Sequence, residues 1–189
     1  MLRAKRPTGI IMAFVVLLIA LTWQTVPAMG KMITDAVNAA VAGVPFDATV
    51  IPVFDRESGV LALFSFGLAT LWIWFWMGVK ERRSFATLGF SGAQTGLRLA
   101  GRGLLIGIGM LAVCVLVPVI AGQAQLEWAS PDGTSWMFIL IMLLGFLVQG
   151  STEEILTRGY LTQAVARRWG LVAAVIVQSI FFAAIHGMN

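Results

Sequence analysis

Five long apolar runs, at residues 10–28, 59–79, 103–121, 135–148 and 171–189, leave this chain few ways to fold. Four approach the ~20 residues that a helix needs to cross hydrocarbon. The run at 135–148 reaches that length only by taking in 149–153, so at least one span carries charge. The runs are continuous in Leu, Ile, Val, Phe and Ala, without the alternation of a transmembrane barrel. Inside a bilayer the backbone polar groups must then be satisfied within each segment, which helices do. The expectation is an all-α fold, a polytopic transmembrane helical bundle with about five membrane spans. The 59% hydrophobic content agrees, because soluble domains sit at roughly half.

Basic residues set the orientation. With the N-terminus in the cytoplasm, Arg3, Lys5, Arg6, Lys80, Arg82, Arg83, Arg98, Arg102, Arg158, Arg167 and Arg168 fall inside or toward it, eleven of thirteen, and only Lys31 and Arg56 fall outside. The reading is a multi-pass cell-membrane protein, N-terminus cytoplasmic, whose +4 charge calls for no nucleic acid partner. Trp23, Trp128 and Trp136 are placed near outer ends, and Trp72, Trp74, Trp76 and Trp169 near inner ends, as an aromatic belt. A second reading of the N-terminus is a signal peptide, with "LRAKRP" as its basic region and cleavage after Ala28.

Two regions follow: 1–79, two spans joined by an outside loop at 30–58 that accommodates a short surface helix, and 80–189, the core. The stretch "KERRSFATLGFSGAQTGLRLAGRG" reads as a basic cytoplasmic anchor with an interfacial helix over anionic headgroups. Gly103 and Gly107 form a GxxxG of the kind that packs helices. Cys114, the single cysteine, is expected to pack as a small apolar residue.

Chemistry concentrates in "QGSTEEILTRGYL" and "FAAIHGMN". Carboxylates in hydrocarbon are costly and point to function. Adjacent helical positions diverge by about 100°, and Glu154 lies four residues before Arg158, the favourable order for an ion pair. That pairing leaves Glu153 as the freer carboxylate. "ARRWG" at 166–170 reads as a cytoplasmic turn, with Glu153 15 residues before Arg168 and His186 18 residues after it. Two antiparallel helical arms then bring Glu153 and His186, the only histidine, to similar depth. The arm before the turn is longer than the bilayer is thick, so a tilt or a break near Gly159 is expected. A carboxylate facing an imidazole in a dry cavity suits deprotonation of a water and support of the oxyanion formed on a carbonyl. The plainer alternatives are a structural ion-pair knot for the glutamates and a local hydrogen bond for His186.

"EEILTRGYL" resembles the first signature, EExxxR with a following glycine, of the CAAX protease and bacteriocin-processing enzyme family, also called CPBP or Abi. "FAAIH" resembles its FxxxH signature, and "ERRSFATLGF" its basic loop. The resemblance covers 80–189 and implies an intramembrane endopeptidase acting on a peptide or membrane-protein substrate within the lipid bilayer. It assigns Glu153 to water activation, Glu154 and Arg158 to the same motif, and His186 to the same cavity. Both metal-dependent and glutamate-based mechanisms are proposed for the family. This chain supplies too few ligands for a typical three-ligand catalytic zinc site, and the choice between a metal cofactor and none stays open. The family's third motif, a histidine with Asn or Asp four residues later, has no counterpart up to Asn189, so an incomplete core and further spans beyond it are expected. The competing readings are a non-catalytic membrane scaffold or immunity protein, and a proton-coupled transporter using the Glu153 and His186 pair.

Overall fold

The computed structural model describes residues 4–45, 56–127, 130 and 132–187; Arg3, Trp128 and Asn189 lie outside them. The described chain is helical, without strands. Helix α1 spans Ile10–Trp23, α2 Val26–Ala42 and α3 Arg56–Trp76, the last continuing as a π turn at Met77–Glu81. A 3-10 turn at Phe85–Leu88 precedes α4, Ala93–Ile120; then come α5, Gly133–Glu154, a π segment at Ile155–Leu161, and α6, Thr162–His186.

Among the described residues, four helical runs are long and apolar enough to cross a membrane: Ile10–Ala42, Arg56–Glu81, Ala93–Ile120 and Gly133–His186. The last, at 54 residues, would reach ~80 Å if straight, far beyond a hydrocarbon layer. It is not straight. Gly170 has φ 81° and ψ 172°, a region open essentially to glycine alone, and the contact between Glu153 and His186 shows that the chain reverses there. The run is two arms, and the four long apolar helical runs come near the expected five passes. The expected break near Gly159 is replaced by the unbroken π segment, and the turn at 166–170 carries the reversal.

Other expectations are corrected. Much of the supposed outside loop is α2; residues 46–55 of that loop lie outside the described ones. The helix restarts at Val26 because Pro27 has no N–H to continue α1, and Thr22 and Thr25 turn their hydroxyls onto the carbonyls of Ile19 and Thr22. Trp72 is no belt residue: its indole N–H donates to Val16 O at 3.1 Å and its ring lies against Trp23 and Trp76.

Residues 1–88 and 135–189 form one compact unit. Its core holds Ala13, Val16, Leu17 and Ala20 of α1, at the i, i+3, i+4, i+7 spacing of one helical face. Against them pack Ala69, Ile73 and Met77 and then Leu156, Tyr160, Leu161 and Val165. In lipid, apolar side chains gain little by leaving the tails, so close packing and interhelical hydrogen bonds hold such helices together. Helices α3 and α5 show both. A Cβ on Gly145 would sit 2.8 Å from Leu63 Cβ, an approach that glycine alone permits. Two turns further along, the hydroxyls of Thr70 and Thr152 are 2.7 Å apart.

At one end of this unit a polar clasp gathers three distant segments. The N–H of Thr8 donates to Glu81 at 3.2 Å, its hydroxyl accepts from Trp76 at 3.0 Å, and its carbonyl accepts from Arg167 at 3.0 Å. Arg83 pairs with Glu81 and donates to Gln163 at 2.6 Å. At Arg83 the basic loop is folded inward, because Glu81 is buried and needs its partner; the helical part of the same stretch begins with α4 at Ala93. The clasp places the N-terminal segment, 80–88 and 163–167 on one side, as alternating spans require.

Residues 89–134 form the second unit. Here α4 runs 28 residues and none of its side chains is buried. A Cβ on Gly103 or Gly107 would meet open space, and Cys114 is exposed rather than packed.

Candidate functional site

Glu153 lies in the last turn of α5, which ends at Glu154, and the π segment begins two residues after Glu153. The Thr157 hydroxyl donates to Glu153 O at 2.7 Å, and the Thr162 hydroxyl to Thr157 O, five residues back, at 3.0 Å. Such hydroxyl bonds to carbonyls loosen a helix locally, and Gly159 lets Leu88 lie against the widened turns. Widened turns of this kind recur at functional sites.

The reversal at Gly170 carries His186 back to Glu153, with Nε2 3.7 Å from Oε1. The carboxylate is the more enclosed of the two, 18% exposed against 39% for the imidazole. Gln149, one turn before, donates from Nε2 to the same Oε1 at 3.2 Å. Nδ1 of His186 lies 2.9 Å from Phe182 O, and the ring stacks on Phe182 at 4.2 Å. A carbonyl only accepts, so Nδ1 carries the proton; neutral His186 then presents a lone pair at Nε2, and the imidazolium an N–H.

These groups line a cavity of about 150 Å³ bounded by Leu17 and Leu21 of α1, Phe66 of α3, and Phe181 and Ile185 of α6. Besides Glu153, Gln149, Thr157 and His186, its polar wall includes Gln24. The 14 residues of α1 span ~21 Å between the level of the Thr8 clasp and that of Gln24.

Glu154 and Arg158 pair as expected, 2.8 Å apart, but on an exposed face with 48% and 69% of their side chains open. Neither lines the Glu153 cavity. The 100° between neighbouring helical positions separates the two glutamates, so the structure brings together Glu153 and His186 and leaves the ion pair apart.

Among the described residues, no three of His, Cys, Asp and Glu converge as a metal site. Glu153 and His186 are two donors against the usual three protein ligands of catalytic zinc, so the residues described do not make up such a site. Sequence reasoning missed Gln149 and Gln24. The first had a signal, since it precedes Glu153 by four and shares its helical face. The second had none, because α1 approaches the site only through tertiary packing.

Residues 135–189 match the family model described as "Type II CAAX prenyl endopeptidase Rce1-like". That segment contains Glu153, Glu154, Arg158 and His186, and the match is consistent with the family resemblance drawn from the two signatures. No curated protein and no solved structure matches the chain.

Proposed function

We propose that the Glu153 cavity is the hydrolytic centre of an intramembrane endopeptidase acting on peptides with a prenylated CAAX end, the substrate class that the matched family description names. The observation that carries this reading is the 3.7 Å approach of Glu153 Oε1 and His186 Nε2 in one cavity lined by residues of α1, α3, α5 and α6. A water held between them donates one hydrogen to the carboxylate and the other to the imidazole lone pair. Glu153 takes the proton as the water oxygen bonds to the scissile carbonyl carbon, and negative charge collects on the carbonyl oxygen. When the C–N bond breaks, the proton on Glu153 passes to the departing nitrogen, leaving a carboxylic acid and an amine. His186, fixed by Phe182 O, orients the water by accepting its second hydrogen at the Nε2 lone pair.

The test is hydrolysis of a prenylated CAAX peptide in detergent or liposomes. Glu153→Gln should keep its folded yield and lose on the order of 10²-fold or more in rate, the usual contribution of a general base. Cleavage by Glu153→Gln at the parent rate would refute the role. Equal loss of folded protein in Glu153→Gln and Arg158→Ala would point to a structural ion-pair knot.

A further inference from the structure

We infer that Gln24, at the end of the first helix, is a substrate-binding residue that grips one peptide unit of the substrate beside Glu153; this rests on the endopeptidase reading. Most polar side chains of the cavity wall are already engaged. Gln149 donates to Glu153, Thr157 donates to Glu153 O, and His186 is bonded to Phe182 O. Gln24 differs: its Oε1 is buried and has no hydrogen-bond partner among the described residues. A buried acceptor left unpaired is unfavourable, so a ligand that satisfies it gains affinity by doing so.

The chemistry of the ligand follows from what surrounds the amide. A primary amide offers an acceptor and two donors, the complement of a peptide unit's N–H and C=O. Leu17, Leu21 and Phe66 supply an apolar wall. At about 150 Å³ the cavity holds a stretch of backbone and no bulky side chain. A peptide N–H on Gln24 would hold the chain in the same cavity as Glu153, so the first helix, which lies outside the matched segment 135–189, contributes to recognition.

The experiment measures binding rather than turnover, in the Glu153→Gln protein, with a fluorescent prenylated CAAX peptide and versions N-methylated at each backbone amide in turn. One N-methylation is expected to weaken binding on the order of tenfold, since it removes the donor that Gln24 accepts. Adding Gln24→Met should weaken the parent peptide equally and abolish the penalty of that one N-methylation. The assignment to Gln24 is overturned if no N-methylation matters, as when a water alone satisfies Oε1, or if the penalty survives Gln24→Met. Should Gln24→Met not fold, the N-methylation series on the Gln24 protein decides alone. Absence of all peptide binding overturns this assignment together with the endopeptidase reading, whereas binding without Gln24 dependence overturns the assignment alone.

Discussion

Replacing Gly170 with alanine tests the feature that assembles the site. Its backbone, at φ 81° and ψ 172°, lies where residues with a Cβ pay about 1–3 kcal/mol. A Cβ there would meet nothing within 4 Å, so the cost is backbone strain and not a clash. The small gain that alanine brings by restricting the unfolded chain does not apply at an incompatible φ. Gly170→Ala is therefore expected to lower unfolding stability in detergent by ~1–3 kcal/mol, a factor of roughly 5 to 150 in the equilibrium. If the strain is relieved by straightening, the geometry changes grossly: 33 residues of continuous helix separate their ends by ~50 Å, whereas packed helix axes lie ~10 Å apart. Spin labels at Gly150 and Ala183, both exposed and on opposite arms, with Cys114 replaced, read this directly. The parent should give one short distance and Gly170→Ala a long component. Unchanged stability with an unchanged short distance would refute the claim that the reversal depends on glycine.

Gly145→Ala should destabilise by ~1–3 kcal/mol through overpacking, because its Cβ would meet Leu63 at 2.8 Å; adding Leu63→Ala should recover part of the loss, as a double-mutant cycle in denaturant would show. Arg83→Ala leaves Glu81 buried without its partner and is expected to cost roughly 3–5 kcal/mol, measured by unfolding in detergent. For sidedness, a cysteine at exposed Arg82, in place of half-buried Arg83, should resist an impermeant thiol reagent in intact cells and react after permeabilisation; reaction in intact cells would reverse the orientation.

Local chemistry made much of this protein legible before folding. Span positions follow from hydropathy, since each apolar run must satisfy its own backbone in lipid. The Glu154 and Arg158 pair follows from a spacing of four on a helix, and the meeting of Glu153 with His186 follows from similar arm lengths about a turn. Tertiary structure decided the rest, because it joins residues that no local pattern relates. Arg83 reads from sequence as one more topology charge. In the fold it is an inward clasp, because burial of Glu81 demands a cation and because Gln163, 80 residues away, completes it. Thr8 is an unremarkable residue until Arg167, 159 positions later, donates to its carbonyl. Gln24 ends an apolar helix and looks like an interfacial residue; only the packing of that helix against α3 and α6 turns its amide into the cavity that holds Glu153. Helical period and charge spacing act over a few residues and survive in any fold, whereas burial and pairing across the bundle exist only once the helices have packed.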